Sequence, residues 1–141
     1  MSMDITSANS VVTLSCDLFS AVLQQFAADT AYEGEDDTIA ETRMGVDGHM
    51  VAGQTPSIKN VTLHIEASSP SAQYLRLLKQ AQEKNRTIYP CQMVISQPSI
   101  GIRTTYKNGV LVSSKDLADA KKTLDPTTWK FAFESKDAER M

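Results

Sequence analysis

The heptapeptide TWKFAFE, residues 128–134, sets Trp129, Phe131 and Phe133 on one side of an extended chain and Lys130, Ala132 and Glu134 on the other. Side chains alternate between the two faces of a strand, so this is a strand with one buried and one wet face. Three more stretches share the pattern. In KNVTLHIE, residues 59–66, Val61, Leu63 and Ile65 oppose Asn60, Thr62, His64 and Glu66; in VVTLSC, residues 11–16, Val12, Leu14 and Cys16 oppose Thr13 and Ser15. In IYPCQMVI, residues 88–95, Cys91, Met93 and Ile95 share a face, and Pro90, which cannot donate to a ladder, favours an edge or a strand start.

The chain between these strands is less regular. Residues 21–27 read as a strand or a short helix, and residues 38–46 as a strand. Asp47-Gly48 signals a turn, and the chain from there to Pro56 reads as loop. Residues 100–106 and 110–113 flank Lys107-Asn108-Gly109, a strong hairpin signal because Asn and Gly tolerate positive φ. Residues 117–123 read as a short helix or a loop. One helix is clear: Ser69 is placed to cap it, Pro70 suits its first turn, and Tyr74, Leu77, Leu78 and Ala81 form an apolar stripe. Arg76, Lys79, Gln80 and Glu83 supply its wet side, and it should end near Asn85.

The expected fold is mainly β: about six to eight antiparallel strands in a sandwich or partial barrel, with one flanking α-helix. The 141 residues suit a single domain, 1–141, with flexible termini expected at 1–4 and 136–141. At 41% hydrophobic and 22% charged, the composition lies far from the disordered regime. No stretch approaches the roughly 20 apolar residues of a membrane-spanning helix, and the polar opening lacks the basic start and apolar centre of a secretory leader. Cys16 and Cys91 could form one bridge, but two isolated cysteines without a leader fit better as reduced core residues.

Residues that carry chemistry are sparse. His49 stands in a Gly-rich loop and His64 on the wet face of a strand, too few ligands for a zinc site. The acids near Gly34 lack the alternating oxygen pattern of a calcium loop. Neither cysteine has a nearby histidine, and no Gly-Lys-Ser/Thr follows the glycines at 45, 48 and 53. No catalytic residue, metal or cofactor is expected, and the chain does not read as an enzyme. Nor does it show the basic, aromatic-rich face of a nucleic-acid module.

Charge is uneven. Before residue 71 there are two bases and ten acids, net −8; from there on there are twelve bases and seven acids, net +5; together they make the −3 of the chain. Opposed charge at two ends of a domain helps identical subunits meet head to tail, although scattered solvated charges give the same count.

Residues 36–56, DDTIAETRMGVDGHMVAGQTP, resemble the tail-tube protein family of contractile-tailed bacteriophages. So do ITSANSV at 5–11, TYKNGVL at 105–111 and DAKKTL at 119–124, in the same order along the chain. The resemblance implies a β-sandwich with a flanking helix, hexameric rings, and their stacking into a hollow tube inside a contractile sheath. Its implied partners are further copies of itself, the sheath, baseplate and tail-terminator proteins, with DNA passing through the lumen without tight binding. Its implied location is the virion tail, assembled in the host cytoplasm, with no membrane.

Within that frame Met44, Gly45, Val46, Asp47, Gly48, His49, Met50 and Gly53 are subunit-interface candidates: glycines give unusual backbone shapes and methionines adaptable apolar area. An ordinary mobile surface loop is the plain alternative. Glu33, Glu35, Asp36, Asp37 and Glu41 either line a lumen or meet Lys121 and Lys122 across a ring junction. A secretion-system or tailocin inner tube has the same expected fold, and a small-ligand-binding β-barrel is a further alternative.

Overall fold

The computed structural model describes residues 9–27 and 30–141. Its elements in chain order are β1 (Val11–Cys16), β2 (Ser20–Leu23), β3 (Tyr32–Gly34), β4 (Ala40–Met44), β5 (Met50–Gln54), β6 (Lys59–Ile65), α1 (Ser71–Asn85), β7 (Cys91–Gln97), β8 (Ile102–Lys115) and β9 (Thr127–Arg140). Seven strands make one antiparallel sheet, ordered β2-β1-β7-β8-β9-β6-β3, which curls into a half-barrel. The other two, β4 and β5, pair only with each other. The mainly-β expectation with one helix holds.

The alternating segments build the core. Trp129, Phe131 and Phe133 are buried beside Val61, Leu63 and Ile65 of β6, and Val12, Leu14, Met93 and Ile95 complete the inner face with α1. The indole of Trp129 needs a partner in this dry setting. Its Nε1–H donates to Thr127 Oγ1 at 3.0 Å, and that hydroxyl donates to the Ile65 carbonyl at 3.1 Å. The residues of 1–4 lie outside those described.

Several expectations are corrected. Asn108-Gly109 makes no hairpin: β8 runs straight through it. Asn108 takes a left-handed φ of 52°, and β8 carries one residue more than β7 between the pairs Cys91–Gly109 and Met93–Tyr106, a β-bulge. The signal for positive φ was real, but the chain spends it on a bend. The hairpin turn lies earlier, where the Ile100 and Gly101 amides donate to the Gln97 and Pro98 carbonyls, each at 3.2 Å, and Gly101 has φ 67°. The helix buries Ser71, Ala72, Leu75 and Leu78, while Tyr74 and Leu77 of the expected stripe are exposed. Small residues at 71 and 72 let that flank approach the sheet closely. Pro70, not Ser69, is the capping position, although Ser69 Oγ accepts the Ser71 amide at 3.2 Å.

Residues 50–54, expected as loop, form β5. Residues 136–140, expected to be mobile, are the last part of β9, paired with the start of β8 from Tyr106–Lys136 to Ile102–Arg140. Both segments are exposed and held by backbone pairing, so burial left no pattern to read in them. Residues 20–23 settle as the strand β2, and residues 117–123 as a loop closed by the Ala120–Leu124 bridge.

Gly109 of β8 is paired with Phe133 of β9, and the phenyl ring lies over it. A Cβ there would lie 2.1 Å from Phe133 Cδ1, inside the ring's own space. The same ring lies 5.1 Å from that of Tyr106. Gly109→Ala is expected to destabilise the fold by about 1–3 kcal/mol through overpacking. Urea unfolding measures this, and Phe133→Leu in the same chain should recover part of the loss.

Candidate assembly interface

The β4–β5 hairpin stands apart from the half-barrel. Every residue of both strands is exposed, as are residues 45–49 between them. The base is closed by the Thr55 amide donating to the Ile39 carbonyl at 3.0 Å. At the tip, the Gly45 amide donates to the His49 carbonyl (2.8 Å), the Gly48 amide to the Gly45 carbonyl (3.0 Å), and the His49 amide to Asp47 Oδ1 (3.1 Å). Gly48 has φ 84°, which a side chain would disfavour. Residues 45–49 thus form a hydrogen-bonded turn.

The register sorts the hairpin into two faces, because opposite residues of an antiparallel pair point the same way. Ala40–Gln54, Thr42–Ala52 and Met44–Met50 share one face; Glu41–Gly53 and Arg43–Val51 share the other. The first face is uncharged and ends in two methionines, with Val46 beyond them at the tip. Ile39 and Ile58, near the base, are exposed as well. An isolated two-stranded hairpin is marginal in water, and an apolar run of this kind marks a contact surface more often than a free one. All eight interface candidates, Met44 to Met50 and Gly53, therefore lie on one projecting arm.

The acidic candidates do not act as a unit. Glu33 Oε1 meets His64 Nε2 at 3.0 Å, and Thr128 Oγ1 lies 3.4 Å from His64 Nδ1, which stitches β3 to the sheet. Glu35 Oε2 accepts from Asn60 Nδ2 at 3.1 Å. Asp37 Oδ2 accepts from Lys136 Nζ at 3.1 Å and so ties the irregular segment leading into the hairpin to β9. Burial works against the Lys136 charge, but the Asp37 hydrogen bond and the nearby Tyr106 and Asp37 charges outweigh it and hold its pKa above the ordinary lysine value. On the Lys136 side of the pair, a raised cation pKa means that its contribution is fully present below the ordinary lysine value and is lost as pH climbs through the raised one. Asp36 and Glu41 have no side-chain hydrogen bond or ion pair among the described residues. Lys121 pairs with Asp125 in its own loop at 3.0 Å, and Lys122 is exposed; neither touches the acids within the chain.

Sequence reading missed two exposed apolar residues on α1, Tyr74 and Leu77, the first against Phe19 with ring centroids 5.2 Å apart. Their helical spacing was visible but was read as a buried stripe. Among the described residues no group of three or more His, Cys, Asp or Glu gathers where a metal ion could sit.

The model of the family described as tail fiber protein gp32 matches residues 3–137. The chain belongs to that family. It is accordingly a structural protein of a phage-like tail. No curated protein matches the sequence. Among solved structures, a chain of the sheath–tube complex of an extracellular contractile injection system, PVC in its extended state, superposes with TM-score 0.69 at 13% identity, over 98% of this chain and 93% of that one. A chain of the PVC sheath/tube terminator gives 0.67 at 10% identity over 99% of both. A chain of the anti-feeding prophage tube-terminating cap gives 0.67 at 13% identity, over 100% of this chain and 94% of that one. At such identities the likeness speaks for a shared fold, and the family rests on the sequence match.

Because Val46 and Met50 touch no core, Val46→Asp and Met50→Asp are each expected to change the stability of the monomer by less than about 0.5 kcal/mol. Urea midpoints at low protein concentration check this; an unfolded variant would assign the residue to the core instead.

Proposed function

We propose that this chain is a non-enzymatic tube subunit: copies close into a ring, hexameric as in the resembling family, and rings stack into a hollow conduit inside a contractile sheath. The observation that carries this reading is the β4–β5 arm, whose uncharged Met face and Val46 tip find no cover among the described residues. A second copy is the partner that gives every arm an acceptor, since each copy brings one of both. Head-to-tail contacts of this kind close into rings or grow into filaments. The sheet edges fit the same reading. Its outer strands, β2 and β3, are only four and three residues long, too short to template uncontrolled aggregation. The superposing chains come from sheath–tube and sheath/tube-terminator assemblies of a contractile injection system, which supports the same reading.

DNA is the proposed cargo, sliding rather than bound. Lys or Arg along the wall would hold phosphates through counterion release, whereas acids repel them. Asp36 and Glu41, without a side-chain partner among the described residues, are the acids available for a lumen or a ring junction. Sheath, baseplate and terminator are the proposed further partners, and the virion tail, assembled in the host cytoplasm, the proposed location. A second reading follows from the family's description, which names the fiber rather than the tube: the arm then docks on a fiber component.

Negative-stain electron microscopy at high protein concentration, with and without isolated tail baseplates, separates these. Hollow rings or tubes that disappear with Val46→Asp are the expected result. A chain that remains monomeric in both conditions, or decorates fibers instead, contradicts the tube. Asp36→Asn with Glu41→Gln is expected to disturb stacking or DNA delivery; tubes of normal length in fully infectious particles would exclude both roles for these acids.

A further inference from the structure

Cys16 and Cys91 are partners in the register of β1 and β7, the last pair of that ladder. The Cys16 amide donates to the Phe19 carbonyl at 2.8 Å, across the turn into β2. In an antiparallel strand the amide and carbonyl of one residue point to the same side, so the polar groups of Cys16 point away from β7. Cys16 and Cys91 are therefore a non-hydrogen-bonded pair, the kind in which Cα atoms approach to about 4.5 Å and side chains lie closest. Disulfides span Cα separations of roughly 4.4–6.8 Å. Both side chains also lie on the inner face, in phase with Val12 and Leu14 on one strand and Met93 and Ile95 on the other.

We propose that Cys16 and Cys91 are a redox site: a dithiol that small disulfides oxidise to a cross-strand bond, latching the edge hairpin β1–β2 to β7. Both sulfurs are free in the structure, Cys16 partly exposed and Cys91 buried. They border one open hollow, with Pro90, Lys107 and Asn108 on its rim. Burial, with the Cys16 thiol beside it, pushes the Cys91 thiol up to about 12, so it is the protonated, inner partner, and Cys16 is the sulfur a reagent meets first. The Cys16 thiolate attacks one sulfur of the small disulfide, and one thiolate leaves. Cys91 gives its proton to solvent and attacks Cys16 Sγ, expelling the second thiolate. Two protein thiols are oxidised and one disulfide is reduced to two thiols. The latch joins the edge hairpin β1–β2 to β7, an interior strand of the sheet. This site does not depend on what the chain assembles into.

The test is intact-mass spectrometry of the folded full chain treated with oxidised glutathione, followed by peptide mapping without reductant. The wild type is expected to finish lighter by two hydrogens, with peptides of Cys16 and Cys91 joined and no glutathione retained. Cys91→Ser is expected to stop at one glutathione on Cys16, and Cys16→Ser to remain unmodified over the same time. The oxidised wild type should also melt at a higher temperature than the reduced protein. A wild type that retains glutathione, links two chains, or does not react overturns the proposal.

Discussion

At Gly109 the strands β8 and β9 come so close that the ring of Phe133 fills the space a side chain would need. The rest of the sheet depends on that contact, because these two strands are its middle. On one side β7, β1 and β2 are attached through β8; on the other β6 and β3 are attached through β9. The bulge at Asn108 and a second irregularity between Leu111 and Ser113 bend β8 along its length. Bulges increase local twist and give a sheet its curvature. These two irregularities lie in β8, the central strand of the curled sheet.

Exposed apolar side chains are spread over the surface, Val22, Ile88, Val112 and Leu117 among them, and the β4–β5 arm differs in gathering Met44, Val46 and Met50 in one place. The β4–β5 arm has no part in the core, yet it is ordered from its base at Ile39 to its tip at Gly48. The Asp37–Lys136 pair fixes the direction in which it leaves the body, by joining residues 99 apart in sequence. In the proposed tube any play at one joint would accumulate along the stack, so an arm with a defined direction suits that proposal. The short edge strands work toward the same end by limiting other ways for copies to associate.

The parts of this molecule that water shaped were legible in its sequence. Val61, Leu63 and Ile65, or Trp129, Phe131 and Phe133, alternate because one face is buried, and the strands they define are all present. Where the backbone rather than burial holds a strand, no alternation exists to read: β5 looked like loop, and the polar end of β9 like a mobile tail. Asn108 does take a positive φ, but Gly109 does not, and the pair bulges inside β8 instead of turning, opposite Phe133 of a strand distant in sequence. On α1 the stripe was misjudged by one position, because Ser71 and Ala72 bury by being small, and the larger Tyr74 and Leu77 are left outside. For the candidate site, the arm was located by its glycines and methionines, while its two faces required the register of β4 and β5. The facing of Cys16 and Cys91 likewise emerged only from pairing strands far apart in the chain.

The central claim is that the arm becomes covered when copies assemble. Hydrogen–deuterium exchange of residues 40–54, compared between the monomer and the purified assembly, tests it most directly. The account predicts rapid exchange in the monomer and strong protection in the assembly, greatest around Met44, Val46 and Met50. An assembly in which these amides exchange as fast as in the monomer would contradict it.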